Sequence, residues 1–152
     1  MPIITLSTYI SAPQKRVFDL SRSVDLHQVS ALHTNENVIG GVMYGLMQLN
    51  DSVTWKARHF GIYQTLTSKL TEFQPSHSFT DEMVKGIFKA FKHEHKFESV
   101  HPNTTHMIDV FNYTSPFGLI GKLADYIFLK HYLENFLIQR NKVIKQYAES
   151  EL

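Results

Sequence analysis

Residues 91–97 read Phe-Lys-His-Glu-His-Lys-Phe, and the alternation in this stretch decides the fold. In an extended strand successive side chains point to opposite faces. Lys92, Glu94 and Lys96 then share one face, an ordinary solvated one. Phe91, His93, His95 and Phe97 share the other, which ought to be a core face yet carries two imidazoles between two phenyl rings. A helix would scatter both sets, because its side chains repeat with a period of 3.6 rather than 2. The stretch therefore predicts a strand whose inner face lines a partly polar interior.

The same period of two runs outward from Val42 to Tyr113, broken by turn signals at Asn50-Asp51, Phe60-Gly61, Gln74-Pro75-Ser76, Gly86 and His101-Pro102-Asn103. It predicts six strands, at 42–49, 52–59, 62–73, 78–85, 87–98 and 105–113, joined by links short enough for antiparallel hairpins. Residues 3–10 predict a further strand ahead of them. Between that strand and the meander, Ser11 as N-cap with Gln14 three residues on and Pro13 in the first turn predicts a helix to about Ser21. Asp25 with Gln28 repeats the spacing and predicts a second short helix from Leu26 to Leu32, with Leu26, Val29 and Leu32 on one stripe. After the meander, Ser115-Pro116 predicts the start of a helix of about 30 residues, or about 45 Å. Ile120, Leu123, Ala124, Ile127, Leu133, Phe136, Leu137, Ile144 and Tyr147 give it a wide apolar stripe, which needs a large apolar surface to lie on. No repeat or linker interrupts the order, so residues 1–152 are expected to form one domain.

Composition narrows the chemistry. The 152 residues include no cysteine, which removes thiolate catalysis and zinc–thiolate or iron–sulfur centres and favours a reducing, cytoplasmic address. Fifteen Lys and Arg against fourteen Asp and Glu leave no long-range field to gather nucleic acid. The first ten residues lack a basic region and a small-residue cleavage site, and the apolar run at 117–129 contains Lys122 and Asp125 and is too short to cross a bilayer. A soluble protein without stable membrane insertion is expected. Eleven Phe, seven Tyr and nine His supply the aromatic bulk and hydrogen-bonding groups that small-molecule cavities commonly use.

Parity also proposes the lining. Val53, Trp55, Ala57 and His59 face inward on one strand, and Ile62, Gln64, Leu66, Ser68 and Leu70 on the next. Phe79, Asp81 and Met83 are the chosen inner set of 78–85. Met107, Asp109, Phe111 and Tyr113 are the inner set of 105–113, with Ile108 and Val110 as a rival face. Folding the hairpin around His101 puts Asp109 directly across from His93 or His95. The inner polar set is then His59, Asp81, His93, His95 and Asp109. Four readings fit it: a structural hydrogen-bonded network, a patch that orients a ligand, a His–Asp acid/base pair, and a two-histidine, one-carboxylate metal site. His-Glu-His at 93–95 is not the zinc motif that needs its histidines one helical turn apart. The glycines at 40–45 have the wrong spacing for a dinucleotide fingerprint, and Asn103-Thr-Thr105 reads as a polar turn.

Four blocks in this order, SAPQKRVFDL at 11–20, VTWKARHFG at 53–61, FTDEMVKGIFKAFKHEHKFE at 79–98, and DVFNYTSPFGLIGKLAD at 109–125 with FLKHYLENFLIQRN at 128–141, cover most of the chain. Together they resemble the START/Bet v 1-like (SRPBCC) superfamily, in particular its small bacterial polyketide-cyclase-like or cell-division-inhibitor-like members. The resemblance implies an α+β helix-grip fold, in which a bent seven-stranded antiparallel sheet wraps a long C-terminal helix and two short helices follow the first strand. It also implies a cavity between sheet and helix for a hydrophobic or amphipathic molecule of lipid, sterol or polyketide type. Parity and resemblance together give an expected ligand-binding set of Trp55, His59, Gln64, Leu66, Asp81, Met83, Phe91, His93, His95, Asp109 and Phe111. Ile120, Leu123, Ala124 and Ile127 join them from the last helix. No catalytic residue, cofactor or metal is expected. The alternatives are a cyclase, dehydratase or hydrolase using the His–Asp cluster, and a protein-interaction module.

Overall fold

The structure is a computed structural model that describes residues 2–150. β1 (Ile3–Ile10) leads into α1 (Gln14–Ser21) and α2 (Val24–Ser30), and a single 3-10 turn (Leu32–Thr34) follows. The meander then runs β2 (Asn37–Gly41), β3 (Ser52–His59), β4 (Ile62–Gln74), β5 (Ser78–Lys85), β6 (Ala90–His101) and β7 (Thr104–Thr114). The end of the chain is helical: α3 (Gly118–Ala124), one π-helical turn (Asp125–Leu129) and α4 (Lys130–Glu149). All seven strands form one sheet in the order β1-β7-β6-β5-β4-β3-β2, and every neighbouring pair is antiparallel. This is the expected α+β helix-grip arrangement.

Local chemistry moved several boundaries. The strand expected at 42–49 lies earlier, at Asn37–Gly41, and pairs with β3. Gly41 and Gly45 take φ of 71° and 83°, which breaks extended backbone, so the alternating apolar residues of 42–49 belong to a loop. A Cβ on Gly41 would lie 2.2 Å from the Ser52 carbonyl oxygen; only glycine fits there. Ser11 does not cap α1, whose N-cap is Pro13 without a side-chain bond. Its N–H donates instead to Glu149 Oε2 at 2.8 Å, and Gln14 Nε2 donates to the Phe97 carbonyl at 2.9 Å, tying the start of α1 to α4 and β6. α2 is capped by Ser23, whose hydroxyl accepts from the Leu26 N–H, while Asp25 accepts from the Gly45 N–H. Its buried side is Val24, Leu26 and Ser30; Val29, on its other side, faces solvent, as does Leu32, which lies beyond the end of the helix at Ser30. β6 begins at Ala90 rather than at 87.

The long terminal helix also differs in register. Ser115 is not its cap: the N-cap is Phe117, in the left-handed region at φ 65°, and the Ser115 hydroxyl donates to Asp125. Gly121 is buried, and a Cβ there would lie 2.0 Å from the Pro116 carbonyl oxygen. The π turn inserts one residue into the helical repeat, so the inward positions become Ile120, Gly121, Ala124, Phe128, Leu129, Tyr132 and Leu133. Leu123 and Ile127, inward in a straight α-helix, point out.

Two apolar clusters hold the layers together. The larger joins Phe18, Val17 and Leu26 of the short helices to Val53, Trp55, Leu70, Phe79, Phe97 and Met107 of the sheet and to Ile144 and Ala148 of α4. The smaller joins Ile4, Phe91, Phe111 and Tyr113 to Leu137. Gly121→Ala should force the Pro116 turn away from α3, with a loss of about 1–3 kcal/mol as in other overpacked sites. A denaturant titration is expected to show a lower midpoint at an unchanged m value.

Candidate functional site

The C-terminal half of α4 is docked. Arg16 of α1 donates to the carbonyls of Tyr147 and Ala148, Lys145 donates to the Tyr9 carbonyl, and Ile144 and Ala148 enter the larger core. The N-terminal half of α4 and α3 stand away from the sheet, leaving a cavity of about 430 Å³, within the usual size of a small-molecule site of about 300–1,000 Å³.

Of the expected ligand-binding residues, Trp55, His59, Gln64, Leu66, Asp81, Phe91, His93, His95, Phe111, Ile120 and Ala124 line this cavity. Four do not. Met83 packs with Leu66 and Phe88 against the smaller core. Asp109 is 0% exposed and lies beneath the histidines rather than on the wall. Leu123 and Ile127 are 58% and 64% exposed, turned outward by the π turn. Sequence reasoning missed Arg140, Glu36, His27 and Tyr132, all of them on the wall. The signal for Arg140 was present: with Asn141 it occupies the gap between Leu137 and Ile144 on the apolar stripe, a charged residue where the helix should be dry.

The polar base of the cavity is built around Asp109. The register sets Asp109 opposite His95, and Asp81 opposite His93, yet the hydrogen bonds run diagonally. His93 Nε2 donates to Asp109 Oδ1 at 2.9 Å, and His95 Nε2 donates to Asp81 Oδ1 at 2.7 Å. His95 Nδ1 is also 3.3 Å from Asp109 Oδ1. From α4, Asn141 Nδ2 donates to Asp109 Oδ2 at 2.7 Å, and Arg140 Nη1 lies 3.4 Å from Oδ1. Arg140 further donates to Asn141 Oδ1 and to the Ser21 carbonyl. Phe79 stacks on His95 at 4.1 Å between ring centres, and the two imidazoles are 3.7 Å apart.

Burial pushes the Asp109 carboxyl up, but the donors His93 and His95 and the Arg140 guanidinium outweigh it and hold the group well below the usual carboxylate range. Burial likewise opposes the charge on Asp81, and His95 overcomes it. For His93 the balance goes the other way: burial and the neighbouring His95 push it down to about 4, against the pull of Asp109. His93 is therefore neutral at neutral pH, with its proton on Nε2 toward Asp109 and Nδ1 left as an acceptor.

A second polar spot lies elsewhere on the cavity wall. His27 Nε2 donates to the buried Glu36 at 2.8 Å and its ring lies against Trp55, while His59 Nδ1 and the Tyr132 hydroxyl share a hydrogen bond. Burial depresses the His59 pKa and raises that of Tyr132, so both are neutral. For metals, Asp81, His93 and His95 each offer one donor atom within 4.8 Å of the others. A dication there would have to break the His95–Asp81 bond and sit beside Arg140, 3.4 Å from His95.

Two outcomes test this network. Asp109→Asn removes the counterion of a buried guanidinium, so a loss of about 3–5 kcal/mol is expected in denaturant unfolding. His93 has a folded pKa below its unfolded value of 6.5, so the unfolded chain binds the extra proton first. Stability is then full above pH 6.5 and falls toward pH 4, by on the order of 3 kcal/mol; Asp109, also depressed, adds a further loss below its ordinary 3.8. His93→Gln keeps a donor for Asp109 and cannot titrate, so the slope between pH 6.5 and 4 should flatten in urea titrations across that range.

No protein-family model and no curated protein matches the sequence. Solved structures do match over nearly the whole chain. TTHA0849 from Thermus thermophilus is 14% identical with a TM-score of 0.79, covering 98% of each chain. A START superfamily protein from Mycobacterium smegmatis is 9% identical with a TM-score of 0.75, covering 99% of each. The Zhui aromatase/cyclase from Streptomyces sp. R1128 is 10% identical with a TM-score of 0.68, covering 99% of this chain and 98% of its own. At these identities the likeness is one of architecture: the chain has the helix-grip fold of START-type and aromatase/cyclase structures.

Proposed function

We propose that the protein binds one small amphipathic molecule between the sheet and the terminal helix, its apolar body among the aromatic walls and its polar end at His93, His95 and Asp81. The observation that carries this reading is the asymmetry of the wall. Trp55, Leu66, Phe91, Phe111, Phe128, Leu133 and Phe136 make most of it apolar, and its polar groups gather in two places, the buried His93–His95–Asp81 cluster at its base and the His27–Glu36 and His59–Tyr132 pairs, which satisfy each other. The network satisfies its own charges and still leaves His93 Nδ1 as an acceptor on a side chain that lines the cavity. A hydroxyl or another neutral donor on the ligand completes it. The architectural likeness to an aromatase/cyclase and a START superfamily protein supports a hydrophobic ligand class. Catalysis by the His–Asp pair fits less well: a general base works best with a pKa near the operating pH, and His93 lies near 4.

A ligand panel of fatty alcohols, sterols, aromatic polyketides and matched hydrocarbons tests the proposal by thermal shift. A true ligand at a hundredfold excess over its dissociation constant adds about 2.7 kcal/mol of stability. His93→Phe is expected to weaken hydroxyl-bearing ligands by about tenfold, the value of one hydrogen bond, and to leave hydrocarbons unaffected. A panel that shifts nothing, or a variant that weakens both classes alike, would overturn the reading.

A further inference from the structure

The cavity reaches the surface where its lining is exposed, and that rim is largely apolar. The exposed members of the lining are Phe60, Thr65, Ile87, Phe117, Ile120 and Phe128. They come from β4 and the β3–β4 turn, the β5–β6 turn, and the helical segment that begins at α3. Leu119 and Tyr126, 82% and 90% exposed, extend the apolar area beyond the mouth together with Leu123 and Ile127. Single exposed apolar residues are ordinary, but a contiguous set of this size marks an interaction surface.

The fringe of this surface is basic. Arg58, Lys85, Lys89, Lys122 and Lys130 are exposed on the same three segments, and none is among the ion pairs of the described residues. Segments 58–63, 84–92 and 117–131 contain a single carboxylate, Asp125, which is engaged by Tyr113 and Ser115. The chain as a whole is nearly neutral at +1, so the positive charge is concentrated here. Aromatic and aliphatic side chains inside a ring of cations match the layering of an anionic membrane surface, with hydrocarbon beneath and negative headgroups above. No helix among the described residues is long and apolar enough to cross a membrane, so the contact is peripheral.

We propose that the mouth of the cavity docks on anionic lipid bilayers, with α3 and the π turn lying in the interface. Ligand then moves between bilayer and cavity without crossing water. The transfer step rests on the cavity reading above; the docking does not.

The test is flotation of the full chain with vesicles of phosphatidylcholine alone or of phosphatidylcholine with phosphatidylglycerol, alongside titration, without vesicles, with the uncharged cavity probe N-phenyl-1-naphthylamine. Binding at least about tenfold stronger to the anionic vesicles is expected, weakened by high salt. Leu119→Glu with Ile127→Glu, both outside the cavity, should abolish flotation, and Lys122→Glu with Lys130→Glu should weaken it by more than about tenfold. Both double variants should keep the parental melting temperature and probe affinity. Flotation of neither vesicle, or undiminished flotation of both variants, overturns the docking, as does a dimer that the Leu119 and Ile127 changes dissociate in place of vesicle binding. Probe binding without flotation removes the docking and leaves the cavity reading standing. Flotation without probe binding does the reverse.

Discussion

A carboxylate sealed from water must be paired, and the pairing of Asp109 fixes how the helix sits on the sheet. Its partners come from separate parts of the chain: His93 and His95 from β6, Arg140 and Asn141 from α4. Arg140 carries the connection on to the Ser21 carbonyl at the end of α1. Each partner is itself buried, so rotating or sliding α4 by a single residue would leave both an anion and a guanidinium unpaired inside the protein, at several kcal/mol each. Apolar packing alone is far more tolerant of such shifts. The network therefore defines one position of the helix where the larger core would accept several.

That position is also what keeps the cavity open. Interiors normally close around voids larger than a water molecule, and the aromatic side chains on both walls could fill this one if α4 moved inward. Pinned at Arg140 and Asn141 and docked through Ile144 and Ala148, the helix cannot approach at its other end without tilting about that anchor. α3 meets a second restraint, Asp125, held by Tyr113 and Ser115 at the end of β7. The tyrosine accordingly keeps its proton, its pKa pushed above the ordinary range by burial and by the Asp125 charge. The helix is thus fixed near both ends and spans the gap between.

Period two made the sheet legible. β3 and β5 fall at 52–59 and 78–85 as alternation predicted, and the inner choice of Asp109, Phe111 and Tyr113 over Ile108 and Val110 agrees with their burial. What alternation could not see was backbone geometry. The glycines that turn 42–49 into a loop and the π turn that moves Leu123 and Ile127 outward change where side chains point without changing the hydrophobic pattern. Caps misled for a related reason: Ser11 and Asp25 stand at plausible helix starts, but Glu149 and the Gly45 N–H, distant in sequence, claim them. Arg140 was readable in principle as a charge on an apolar stripe. Its role was not, because its partners lie on strands more than thirty residues away.

The charges at the base of the cavity also limit what can bind there. Asp81 and Asp109 are held as anions, and Arg140 supplies the one permanent cation among their partners, already engaged by Asn141 and the Ser21 carbonyl. An anionic headgroup reaching the base would meet two carboxylates and no uncommitted donor. A cationic one would have to be stripped of water through a mouth lined by Phe60, Ile87, Phe117 and Phe128, and transferring an ion into such surroundings is far more costly than transferring a hydroxyl. A neutral polar end avoids both penalties and can donate to His93 Nδ1. In the proposed binding mode, with that end at the base, the hydrocarbon of the ligand would lie along the aromatic walls and its tail would reach the mouth, where the apolar rim continues it. Under the proposed function, the ligand that this interior favours is therefore an uncharged amphiphile with a compact polar end.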